Sequence, residues 1–176
     1  MISEHDSRHD SINRRSVRLD QPWIDRVAAA SGDTILLLAR ILIGGIFVQS
    51  GFGKLMGLDA FAAGLARNGI PAAIAPVLAP IGAGVEFVGG LAVVLGLATR
   101  YAAVLMIVFV VVATLISHRF WMLQGADRRT QTVQFAKNIA IIGGFLFAFI
   151  TGGGRYGLDR WWRRVEYATR SCRRVA

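Results

Sequence analysis

The chain has 176 residues, 54% of them hydrophobic, with 20 glycines and a mean hydropathy of +0.49, a composition too oily for an ordinary soluble domain. Its net charge of +9 sits at the two ends and in short connections while the middle is apolar, which argues against nucleic acid and for a membrane protein with basic flanks. The single cysteine, Cys172, excludes an internal disulfide, a CxxC redox pair and a cysteine-bound metal cluster.

Residues 1–33 are polar and of mixed charge, with neither the apolar core nor the small-residue cleavage site of a secretory signal. The first ~20 residues read as disordered. Residues 22–30 (PWIDRVAAA) read as a short amphipathic helix on the membrane surface, with Trp23 and Ile24 in the interface. Span one is predicted over 34–56, with Asp33 as its cap. The loop GLDAFAAGLARNGIP carries a short interfacial helix, with Asp59 as N-cap, Asn68-Gly69 as stop and Phe61 and Leu65 on its apolar face. Span two follows over 75–97, with Pro76 and Pro80 in its first turns, where missing N–H groups cost least. A tight reversal leads to span three, 101–118, which is almost wholly aliphatic. Residues 119–133 read as a polar loop. Span four is placed at 134–151, ended by GGG, and 152–176 is a basic tail.

Each span has about the 20 residues needed for a ~30 Å hydrocarbon core. Span three has no polar face, which a soluble bundle needs. The predicted fold is therefore all-α: a four-transmembrane-helix bundle over 34–151. Four spans put both termini on one side. Thirteen Lys and Arg lie outside the spans on that side and four on the other, so the termini are expected in the cytoplasm. Trp23, Tyr101, Tyr156, Trp161 and Trp162 then fit an inner aromatic belt, and Trp121 an outer one.

Arg40, Gln49, Lys54, Glu86, His118, Lys137 and Asn138 are the polar residues in or at the ends of the spans. A charge at a helix centre costs roughly 2.5–3.5 kcal/mol on insertion scales, so such residues usually face the bundle interior and pair. Steps of four and three residues place Arg40, Gly44, Phe47, Gly51 and Lys54 on one face of span one. The same steps link Gly82, Glu86, Gly89, Val93 and Gly96 in span two, and Lys137, Ile141, Gly144, Ala148 and Thr151 in span four. Small residues at this spacing mark faces where helices approach closely. By depth, Glu86 is expected to pair with Arg40 or Lys137, while Lys54, His118, Lys137 and Asn138 gather toward the outer half. Lys54 and His118 also lie where they can snorkel to head groups. Glu86 is either a structural ion pair that sets helix register, or part of a polar pocket for a ligand, a quinone head group or a proton path. A lone histidine does not make a metal site.

These residues resemble the DoxX family. LLLARILIGGIFVQSGFGKL has an arginine, a glycine pair, a Phe and then G-x-x-K. DAFAAGLARNGIP, EFVGGLAVVLGLATR, the histidine ending span three and QFAKN continue the pattern, over about 35–150. The resemblance implies a multi-pass protein of the bacterial inner membrane, linked to quinone-coupled sulfur-compound oxidation or to complexes handling oxidative or thiol stress. It puts Arg40, Lys54, Glu86, His118, Lys137 and Asn138 at the family's polar positions. No flavin, haem or iron–sulfur motif is visible, and catalytic residues remain unknown; redox activity would need a protein partner or a bound quinone. The expected role is a membrane subunit or anchor of a redox-linked assembly. The alternatives are a small-solute or proton carrier working as a homo-oligomer, and a non-catalytic scaffold whose basic tail holds anionic lipid.

Overall fold

The computed structural model of the chain describes residues 22–160. Those up to Ile35 and those from Leu36 onward form two compact units. The expected disorder before residue 21, Trp161, Trp162, Cys172 and most of the basic tail lie outside the described residues.

Helix α1 (Trp23–Met56) runs unbroken for 34 residues. The expected surface helix at 22–30 is therefore its first turns, and Asp33 lies inside it rather than capping it. Between Pro22 and Met56 the chain holds no proline, and Gly32 costs only about 1 kcal/mol against Ala without ending a helix. The Pro22 carbonyl accepts the first N–H groups, from Asp25 and Arg26. Helix α2 (Leu58–Arg67) is the short loop helix. Its N-cap is Gly57 and Asp59 sits in its first turn, while Asn68 and Gly69, the latter at φ 92°, end it as expected.

Helix α3 (Ala75–Leu95) begins with Pro76 near its start and ends on Gly96, whose φ of 67° forms a left-handed cap. Helix α4 (Thr99–Ser117) starts two residues earlier than expected. A 3-10 turn (Phe120–Met122) and helix α5 (Gly125–Thr151) complete the described chain. Helix α5 takes in nine residues that read as loop, 125–133, because ADRRTQTV after Gly125 contains no breaker and its polar side chains suit the exposed end of a helix. Helices α1, α3, α4 and α5 are each long and apolar enough to cross a membrane. Among the described residues there is no strand.

From Leu36 onward these four helices form an up-down-up-down bundle. Helices α1 and α3 cross at glycine contact. A Cβ on Gly51 would lie 2.6 Å from the Phe87 backbone nitrogen, one on Gly44 2.7 Å from the Gly90 carbonyl, and one on Gly90 2.8 Å from Phe47 Cβ. Gly89, one residue round from Gly90, instead meets Met106 of α4. Helix α5 closes on α1 through Phe47 and Phe145, whose rings are 5.4 Å apart, and through Ile43 over Gly144. Phe47, Val93, Met106, Val110 and Phe145 fill the centre. Leu42, Val88, Val108 and Phe147 are more than half exposed, as lipid-facing side chains are.

Residues 152–160, after α5, turn back onto the bundle. Gly152, Gly153 and Gly157 are buried against the α3–α4 turn. The Asp159 carboxylate accepts the Ala98 N–H at 2.5 Å, the Thr99 N–H at 2.9 Å and the Thr99 hydroxyl at 3.1 Å. It thus caps α4 from sixty residues downstream, which explains the early start of that helix.

Two substitutions test these contacts. Gly51→Val should destabilise by about 1–3 kcal/mol through overpacking against the α3 backbone, while Gly84→Ala, with open space around it, should be near neutral. Asp159→Ala should cost about 1–2 kcal/mol through loss of the cap. Unfolding in lipid bicelles measures all three.

Candidate functional site

Lys54 and Glu86 meet. Lys54 Nζ lies 2.5 Å from Glu86 Oε2. Gly51, one turn before Lys54, brings the α3 backbone into contact with α1, and the four-three spacing aims both side chains into that crossing. The carboxylate side chain is only 4% exposed and the lysine 32%, so the pair is approached from the lysine side. The ammonium also lies 5.1 Å from the centre of the Phe61 ring on α2, close enough for cation–π attraction.

Helix α2 roofs this end. Leu65 buries against Ala75 and Ala79 of α3, and Phe61 lies over Gly82, where an added Cβ would come 3.7 Å from its ring. Its apolar face is thus turned onto the bundle. Arg119, from the α4–α5 connection, donates to the Asn68 carbonyl at the end of α2 and straps it down. Between α2 and the start of α3 lies a groove of about 440 Å³ walled by Leu58, Ala62, Ala66, Pro76 and Pro80, with Asp59 among its lining residues and neither Lys54 nor Glu86 reaching it.

This geometry corrects the expected pairings. Glu86 pairs with neither Arg40 nor Lys137. Arg40 is buried at the opposite end of the bundle, against Gly96, under the electrostatic influence of Asp159. Its three guanidinium nitrogens have no hydrogen-bond partner among the described residues. The apolar centre between the two ends blocks the reach that depth alone allowed. Lys137 is exposed on α5, since the inward stripe of that helix runs through Asn138, Ile141, Phe145 and Ala148, one position over from the stripe drawn through Gly144.

Lys54 does not snorkel; it ion-pairs. Asn138 donates to Thr114 Oγ1 at 2.8 Å, and that hydroxyl donates to the Val110 carbonyl at 2.6 Å. His118 Nδ1 lies 2.7 Å from Gln131 Oε1. The expected outer cluster is thus a set of separate pairs, with Lys54–Glu86 the charged one. Gly44, Gly51 and Gly89 serve at helix contacts, Gly82 lies under Phe61, and Gly96 forms the α3 cap. Phe61, Gly90, Thr114, Gln131 and Asp159 were missed. Gly90 was signalled by its pairing with Gly89, and Thr114 by being a hydroxyl inside an aliphatic run. Gln131 and Asp159 had no local signal. Among the described residues no group of three His, Cys, Asp or Glu is placed to hold a metal.

The model of the DoxX family matches residues 35–119, which takes in Arg40, Lys54 and Glu86. The inner membrane protein YphA of Escherichia coli is 39% identical over 132 residues, covering 74% of this chain and 92% of YphA. The chain belongs to the DoxX family. Other relatives at similar coverage are the inner membrane protein YqjF of E. coli, 33% identical over 73% of this chain and 92% of its own, and the uncharacterized membrane protein Rv3486 of Mycobacterium tuberculosis, 31% identical over 79% and 88%. No solved structure matches the chain. The family match ends one residue beyond His118, so both members of the charged pair, Arg40 and the whole of α2 fall inside it and α5 falls outside.

A double-mutant cycle checks the pair. Glu86→Leu and Lys54→Met should each cost about 2–3 kcal/mol by stranding a buried or half-buried partner. The double variant should recover more than about 1 kcal/mol of the summed loss. Strictly additive losses, read by unfolding in bicelles, would mean that the two do not interact.

Proposed function

We propose that this DoxX-family protein is the membrane subunit of a redox-linked assembly, and that the Lys54–Glu86 pair beneath α2 receives a quinone-type head group. The observation that carries the proposal is the asymmetry of the pair. The carboxylate is sealed, while the ammonium keeps about a third of its side-chain surface open beside Phe61. A purely structural pair has no use for that opening. An ammonium held in place by a sealed carboxylate can donate a hydrogen bond to a ligand carbonyl, and the carboxylate is the nearest group able to take or give the accompanying proton. An aromatic edge or face beside it suits a flat ring. A bound quinone would supply the electron-accepting chemistry, and the protein partner would supply the electrons.

The carrier reading is weaker for a physical reason. A path across the membrane has to pass Phe47, Val93, Met106 and Phe145, which fill the bundle between Arg40 and Glu86. Lys and Arg bias favours both termini in the cytoplasm. That places the Arg40 end inward and the Lys54–Glu86 end, with α2, toward the outer leaflet.

The test is purification from native membranes into nanodiscs, followed by mass spectrometry of bound lipids and proteins. Wild type should carry quinone well above empty nanodiscs and bring down a redox protein. Lys54→Met should lose the quinone while keeping its helical content. Equal quinone in the variant and in empty discs, with no partner recovered, would contradict the proposal and leave the scaffold reading.

A further inference from the structure

Between Leu36 and Met56, Gln49 is the one strongly polar side chain that α1 exposes. It is exposed, it has no hydrogen-bond partner among the described residues, and it sits seven residues before the helix end at Met56. That is roughly 10 Å inside the end of the span, within the ~30 Å hydrocarbon layer. A carboxamide facing lipid there leaves two N–H donors and one carbonyl without water. Lipid ester groups offer acceptors only, and they lie shallower.

The surface around Gln49 is shaped for another helix. Gly45 and Gly53 stand one turn to either side, and a Cβ on either would meet nothing within 4 Å. They are distinct from Gly44 and Gly51, which are already used against α3. Leu42, Ile46, Phe52 and Met56, all more than half exposed, border the strip. Gly45, Gln49 and Gly53 follow in steps of four on one strip; small residues on such a strip let a neighbouring helix approach closely, and a glutamine between them can hydrogen-bond across the contact.

We propose that a second copy of this chain occupies this face, in a two-fold dimer whose axis passes beside Gln49. A carboxamide is self-complementary. Two Gln49 side chains related by a two-fold axis exchange N–H···O bonds, so each supplies the donor and the acceptor that the other lacks. Copies inserted in the same orientation place the axis along the membrane normal, the closed arrangement that an isologous contact requires. The Lys54–Glu86 pair lies on a different face of α1 and stays accessible in the dimer.

In-membrane cross-linking tests the proposal. In a Cys172→Ser background, Leu42→Cys and Met56→Cys, each with Gln49 intact, should give disulfide dimers on mild oxidation. Phe147→Cys, on the exposed face of α5, should not. Gln49→Leu should weaken self-association by at least about tenfold, measured by energy transfer between labelled copies in vesicles. Its unfolding as a monomer should be unchanged, because the exposed side chain makes no hydrogen bond among the described residues. Equal cross-linking at Phe147, association unaltered by Gln49→Leu, or an α1 adduct with a different protein in place of the dimer would each overturn it.

Discussion

The close crossing of α1 and α3 sets the rest of the structure. In hydrocarbon there is no hydrophobic gain from bringing two helices together, so contact must come from backbone approach and from polar groups with nowhere else to go. Gly44, Gly51 and Gly90 provide the first, and Lys54 with Glu86 the second. The two depend on each other. With a side chain at Gly51 the α3 backbone could not come within reach of Lys54. Without the ion pair, Glu86 would be an isolated carboxylate in a low-dielectric site, at a cost of several kcal/mol.

The two ends of the bundle are finished in opposite ways. At the Arg40 end the chain folds back, three glycines pack against the α3–α4 turn, and Asp159 caps α4. That end is closed by backbone and by a carboxylate held in place. At the Lys54 end the cover is a single short helix held by Leu65 and one arginine strap, with a groove at its side. A site that must admit a lipophilic molecule from the bilayer belongs at the second kind of end. The aromatic and aliphatic centre separates the polar groups of the two ends, which suits binding on one side better than a polar path across the membrane.

Much of this was legible because lipid imposes strict rules. Four apolar runs, a glycine-bearing face on span one and the inward placement of Arg40, Lys54 and Glu86 all followed from length, spacing and the cost of bare charge. Which charges meet was not legible. Depth counted along separate helices puts Arg40 and Lys137 within reach of Glu86 and leaves Lys54 at the outer end, and only packing reveals that Phe47 and Phe145 stand between Arg40 and Glu86 while Lys54 meets it. Phase was the second weak point. Stripes through 137, 141, 144 and 148 and through 138, 141, 145 and 148 share two members, and a glycine at 144 drew the line to the wrong neighbour. The Asp159 cap was invisible because it joins residues sixty apart in a segment that reads as the start of a charged tail.

The pairing of Lys54 with Glu86 is open to direct observation in a bilayer. Solid-state NMR of protein labelled at the lysine ammonium nitrogens and glutamate carboxyl carbons, with Lys54→Met and Glu86→Gln to assign the signals, reports their dipolar coupling. A strong nitrogen–carbon coupling that disappears in either variant is the predicted result. A Lys54 signal coupled to lipid phosphate instead, with Glu86 uncoupled, would contradict it.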